Sequence, residues 1–237
     1  IITKGVKMRN INMYNSNKLT EWKLLFNNFF LSLLITLILS LSVSASEHGK
    51  VKGKGDILLG LKLLHLSPDE KSTTSIGGEA SVNADVVPEL DIRYFVTDNF
   101  AIEAIAGTTK HSARAIGTAL GDVDLGHTWV LPPTITFQYH FDTNNSFKPY
   151  IGVGLNYTLF YNGNPGDVVS VSYKNDFGYA ANIGFDYFLN DKNYVNIDIK
   201  KFKINTSNVI DAGAAGIATA DIDLDPLAIS IGYGWRF

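Results

Sequence analysis

Five histidines, His48, His65, His111, His127 and His140, are the first residues to test for chemistry, and their spacing resembles no zinc-ligand set. Asp221, Asp223 and Asp225 alternate along one segment and could attract a divalent ion. No twelve-residue calcium loop surrounds them, so they read as a solvated edge. Gly53-Lys54-Gly55 lacks the rest of a phosphate loop, and no serine sits in a GxSxG elbow. With no Cys there are no disulfides, thiolate sites or thiol nucleophiles. The chain therefore reads as a non-enzyme, with no catalytic, cofactor-binding or metal residues assigned. A formal charge of −3 over 237 residues also argues against a nucleic-acid partner.

The remaining chemistry is a set of charged residues whose meaning depends on the elements that carry them. The clearest element runs from Pro149 to Tyr161. Ile151, Val153, Leu155, Tyr157 and Leu159 alternate there with Gly152, Gly154, Asn156, Thr158 and Phe160. A strand sends successive side chains to opposite faces, so this segment has one apolar face and one small or polar face. Phe177–Phe188 and Leu227–Phe237 repeat the arrangement. Asp56–Leu66, Glu89–Val96, Phe100–Ala106, Thr134–Phe141 and Tyr194–Ile199 agree more weakly. The pattern fades in the KKFKI that begins at Lys200, which implies either a bulge or the emergence of the strand from lipid.

Eight segments is an even number, and their connections alternate in length. Short ones run Thr97–Asn99, Asp142–Phe147 and Asn190–Asn193; long ones run Ser67–Val87, Gly107–Pro133, Asn162–Asp176 and Lys201–Pro226. Glycines and alanines on the polar face suit a narrow interior in which large side chains would collide. Hydrocarbon demands that a sheet close on itself. The expected fold is all-β: an eight-stranded antiparallel transmembrane β-barrel with short periplasmic turns and long extracellular loops. Tyr139, Tyr157, Tyr161, Tyr187, Tyr233 and Trp235 fall near strand ends on the outward face, where headgroups favour amphipathic rings.

The first 45 residues differ from the rest. Lys18 and Lys23 precede the apolar run Phe29–Val43, and Ser44-Ala45-Ser46 follows, as in a cleaved secretory signal. A membrane anchor over 24–43 is the other reading. Cleavage after Ala45 leaves residues 46–237 as a single barrel domain. It removes Lys4, Lys7, Arg9, Lys18 and Lys23 but only one acid, Glu21, so the product is more acidic.

Several stretches resemble the outer-membrane protein W family: FKPYIGVGLNYT (Phe147–Thr158), LPPT (Leu131–Thr134), VTDN (Val96–Asn99), GFDYFLN (Gly184–Asn190), LDP (Leu224–Pro226) and the terminal GYGWRF (Gly232–Phe237). The resemblance covers about residues 53–237. It implies an outer-membrane barrel of a Gram-negative envelope that gives small hydrophobic solutes a narrow passage, with sideways release through the wall left open. It also implies that Phe237 is a signal to the outer-membrane assembly machinery. Trp129-Val130 departs from the more polar approach expected before Leu131.

Projected inward, the alternation gathers Asp56, Lys62, Glu89, Asp91, Arg93, Glu103, Asp186, Asp198, Lys200 and Arg236. They read as a lined path or as a paired network filling the barrel, because charges shut from water need partners. Arg93 and Arg236 are the expected anchors, each able to grip two carboxylates. Leu58, Leu64, Leu66, Phe95, Phe160 and Phe188 also point inward, as an apolar path or as packing. Three functions follow: passage of small hydrophobic molecules, a filled barrel whose long loops (Gly117–Val130 among them) bind a surface partner, or a soluble sandwich-like binder.

Overall fold

The computed structural model describes residues 52–119 and 121–237, so the signal-peptide segment and His48 lie outside the described residues. In chain order the strands are β1 (Ile57–Ser67), β2 (Lys71–Thr74), β3 (Glu79–Val82), β4 (Asp85–Phe95), β5 (Phe100–Ala106), β6 (Thr109–Thr118), β7 (Gly121–Leu131) and β8 (Thr134–His140). They continue with β9 (Phe147–Asn164), β10 (Ser170–Tyr173), β11 (Asp176–Phe188), β12 (Asn193–Lys203), β13 (Asn205–Asp211), β14 (Ile217–Asp223) and β15 (Leu227–Arg236). Eight of these close on themselves in the order β11-β12-β15-β1-β4-β5-β8-β9, with β9 returning to β11 from Thr158↔Asp176 to Phe147↔Tyr187. All pairings are antiparallel, which is the expected closed barrel.

The apolar side of each strand faces outward. Ile151, Val153, Leu155 and Ile183 are exposed, while Tyr150, Asn156, Thr158 and Asn182 beside them are buried. Tyr139, Tyr157, Tyr161, Tyr233 and Trp235 lie exposed on this outer face; Tyr187 is buried, as are the outward Phe185, Ile197 and Ile229. The inward glycines have the steric cause inferred from the sequence. A Cβ on Gly234 would come within 2.1 Å of the Tyr194 ring, and one on Gly184 within 2.5 Å of the Tyr150 hydroxyl.

The long connections are as placed, but they are built largely of strand, which the sequence reading did not anticipate. They carry seven further strands: β7, β6 and β3 continue the wall beyond β9, while β10, β13, β14 and β2 form a separate four-stranded sheet. The fading pattern after Lys200 is not a bulge, because β12 stays in register with β11 up to Tyr179↔Lys203. What changes is the solvent. Lys201 and Lys203 stay on the outer face while Phe202 and Ile204 turn inside, so above the lipid-facing zone the apolar side is the inner one. Ala80, Ala113, Leu125, Ile210, Ala218 and Ile222 then pack together inside the extension. Polar residues facing water around an apolar interior is the ordinary pattern of a water-soluble sheet.

Candidate functional site: an apolar cavity above a buried charged layer

Inward positions of β1, β4, β5, β11 and β12 place charges at similar height because neighbouring strands are paired there. Lys62 lies opposite Glu89, and Arg93 opposite Glu103. Lys62 Nζ reaches Asp91 Oδ2 at 2.8 Å, and Glu89 Oε1 and Glu103 Oε1 at 3.7 and 3.9 Å. Arg93 grips both oxygens of Asp186 at 2.9 Å through Nη1 and holds Nε 3.3 Å from Asp91. Its guanidinium also lies over the Tyr194 and Tyr150 rings, 5.1 and 5.4 Å from their centroids. Lys200 Nζ pairs with Glu103 at 2.8 Å and lies 3.6 Å from Asp198. All eight of these charged side chains are buried, as are the two tyrosines.

Neutral groups complete the layer. Thr136 donates to Glu103 at 2.6 Å; Tyr150 and Asn182 donate to Asp198 at 2.9 and 2.7 Å; Asn196 donates to Asp186 at 2.9 Å. Sequence reasoning passed over these residues because it followed formal charge, although their inward positions on the alternation mark them equally well. It also missed Lys52, which precedes β1. Lys52 enters at the short-turn end, with Nζ 3.3 Å from Asp186 and 2.5 Å from His140 Nδ1. Burial lowers the Lys52 ammonium to about 8, opposed by the charge of Asp186.

Two members of the expected charged set stand apart. Asp56 and Arg236 pair with each other at the short-turn rim, through Nε at 2.8 Å and Nη2 at 3.2 Å. Arg236 thus grips one carboxylate, whereas Arg93 bridges two. The Asp221–Asp225 edge is held by lysine: Lys203 bonds Asp223 at 3.2 Å and Asp225 at 2.7 Å. No group of three potential metal ligands occurs among the described residues.

The six expected apolar residues divide between two places. Leu58, Phe95 and Phe188 pack with Ala101 and Tyr194 beneath the charged layer. Leu64 and Leu66 pack above it with Ile105, Phe202 and Ile204. With Phe160 these upper residues line a cavity that leaves about 1010 Å³ of space between the walls, including the part open to solvent. Its lining runs up into the extension through Val82, Leu125, Val130 and Ile222 and is almost wholly apolar. Two breaks in the strands adjoin it. β5 ends before Gly107, and Pro132-Pro133 separates β7 from β8, so β5–β8 pairing stops at Ile105↔Thr134. Gly107 and Pro132 both line the cavity. A proline has no N–H to extend a ladder, so the β5–β8 ladder is interrupted at that height.

A family model described as the OmpW family matches residues 53–237. Outer membrane protein W of Vibrio cholerae is 33% identical over 195 residues, covering 78% of this chain and 89% of that protein. The dibenzothiophene metabolism operon protein PahQ of Pseudomonas aeruginosa is 30% identical over 166 residues, covering 68% and 76%. The crystal structure of the outer membrane protein OprG from Pseudomonas aeruginosa superposes with a TM-score of 0.75 at 28% identity, covering 80% of this chain and 99% of that one.

Proposed function

The chain belongs to the OmpW family of outer-membrane β-barrels, and from that premise we propose that it passes small hydrophobic molecules across the outer membrane without a chemical step. The observation that carries this reading is the apolar cavity, whose walls offer a non-polar solute carbon contacts in place of water. The relative named for dibenzothiophene metabolism supports it, since that compound is an uncharged aromatic. Beneath the cavity the axis is occupied by the charged layer and the Leu58–Phe95–Phe188 cluster, and parting buried charge pairs to admit an apolar solute is costly. Release therefore goes sideways, where the β5–β8 ladder is interrupted beside Gly107 and Pro132, into the hydrocarbon that the solute already favours. In the same proposal the segment up to Ala45 is a cleaved signal, the short turns face the periplasm, and Phe237 engages the assembly machinery.

Liposomes carrying the folded protein and a fluorescent apolar solute test this directly. Uptake faster than in empty vesicles is expected, and equal rates with folding verified reject it. Replacing the turn at Gly213–Ala215, which does not line the cavity, separates passage from a surface-binding role: lost partner binding with unchanged uptake would favour the latter.

A further inference from the structure

The charged layer does not balance. Glu89, Asp91, Glu103, Asp186 and Asp198 face Lys52, Lys62, Arg93 and Lys200, leaving one carboxylate in excess. Four of the acids have a cation or a hydrogen-bond donor within 3 Å: Asp91 has Lys62, Glu103 has Lys200, Asp186 has Arg93, and Asp198 has Tyr150 and Asn182. Glu89 has neither. Among the described residues its one ion pair is Lys62 at 3.7 Å, and its buried Oε1 has no hydrogen-bond partner.

Glu89 is also the layer's contribution to the cavity. It is the only Asp, Glu, Lys or Arg among the described residues that line this space, and it is 3% exposed. The hydroxyls of Thr128 and Thr206 are spent on wall groups: Tyr161 O at 3.2 Å and Lys174 O at 3.1 Å. His111 is spent too, with Nδ1 on Asn83 O and Nε2 on Thr109. The Tyr173 hydroxyl also lacks a partner, but it belongs to the extension sheet rather than the floor. Beside Glu89 the wall carries a glycine. A Cβ on Gly107 would stand 3.7 Å from the Glu89 Cα and Cβ, so any larger residue would take up the space next to the carboxylate.

We propose that the cavity selects amphiphiles, molecules with an apolar body and one hydrogen-bond-donating end, an alcohol or a primary ammonium, whose head docks on the Glu89 carboxylate. This rests on the passage reading above and names its substrate class. A donor head gives Glu89 the close partner it lacks, and an ammonium also supplies the missing positive charge. A carboxylate head of the same length meets like charge beside a largely buried group, and is disfavoured.

The test uses four eight-carbon competitors: octane, 1-octanol, octylammonium and octanoate. Each displaces a fluorescent apolar probe from the protein in lipid nanodiscs, with empty nanodiscs correcting for partition into lipid. The alcohol and the ammonium are expected to act at concentrations about tenfold below octanoate and below octane. Glu89→Leu should abolish the ranking. Glu89→Gln, which keeps the side-chain shape, should retain the preference for the alcohol and lose that for the ammonium. Equal potency of all four in the native protein, or a ranking that survives Glu89→Leu, overturns the head-group assignment while leaving passage intact. A probe that binds no better than to empty nanodiscs, with the barrel verified as folded, removes the passage reading and this inference together.

Discussion

Arg93 shows what burial demands of a single residue. Its guanidinium joins Asp186 to Asp91 and lies against two tyrosine rings, with no exposed surface. Arg93→Leu would leave both carboxylates in the barrel centre without their shared partner. Loss of one member of a buried ion network costs about 3–5 kcal/mol, so the variant should unfold at markedly lower denaturant in equilibrium titrations from vesicles. Arg236→Leu, by contrast, breaks a part-buried pair at the solvent-accessible rim and should shift the same midpoint less. A pair that water reaches is worth about 0–1 kcal/mol.

At the scale of the element, two features of β6–β7 and its surroundings carry predictions. The first is the Pro132-Pro133 break. Replacing both prolines with Thr and Val would restore two backbone donors and let β7 run on into β8. If solute leaves the barrel beside Gly107, vesicle uptake of an apolar solute should then fall severalfold while the barrel stays folded in the vesicles. The second is His111, whose imidazole burial lowers below its ordinary value near 6.5, with the Asn83 carbonyl and Asp85 partly opposing. In acid the unfolded hairpin binds a proton that the folded one resists, so stability is present near neutrality and is lost as the pH falls below about 6.5. Amide exchange in β6 and around Asn83 should quicken between pH 7 and 5. His111→Gln should flatten that dependence.

For the molecule as a whole, the position of hydrocarbon is written in the reversal of the strand faces. Outward residues are apolar along the barrel wall and become polar at Lys201 and Lys203, while apolar residues move inside. Val153, 65% exposed, lies on the lipid side of that reversal, and Ile217, 74% exposed, lies beyond it in the extension. Arginine on the lipid face near mid-membrane costs about 2–4 kcal/mol, falling toward zero at the interface. Val153→Arg should therefore destabilise the folded barrel in vesicles by that amount, and Ile217→Arg should be close to neutral. Similar losses at both sites would mean that the two positions share one solvent.

The local alternation of side chains determined the eight strands, their inward and outward faces and the need for closure, because period two is a property of the strand itself. Even the crowding behind Gly184 and Gly234 was legible, as small residues recurring on one face. The same alternation runs through Thr109–Thr118 and Asn205–Asp211, yet those strands read as loops: their apolar sides are built from Ala, Thr and a few isoleucines, a weak contrast without a lipid boundary to sharpen it. Only the tertiary structure decided which inward residues meet. Closing the barrel with its particular stagger brought Lys62 between Glu89 and Asp91, sent Asp56 and Arg236 to the rim, and split six apolar residues into a floor and a cavity. Those contacts join residues up to 180 positions apart, so their heights are fixed by strand pairing around the whole circumference, which no single segment encodes.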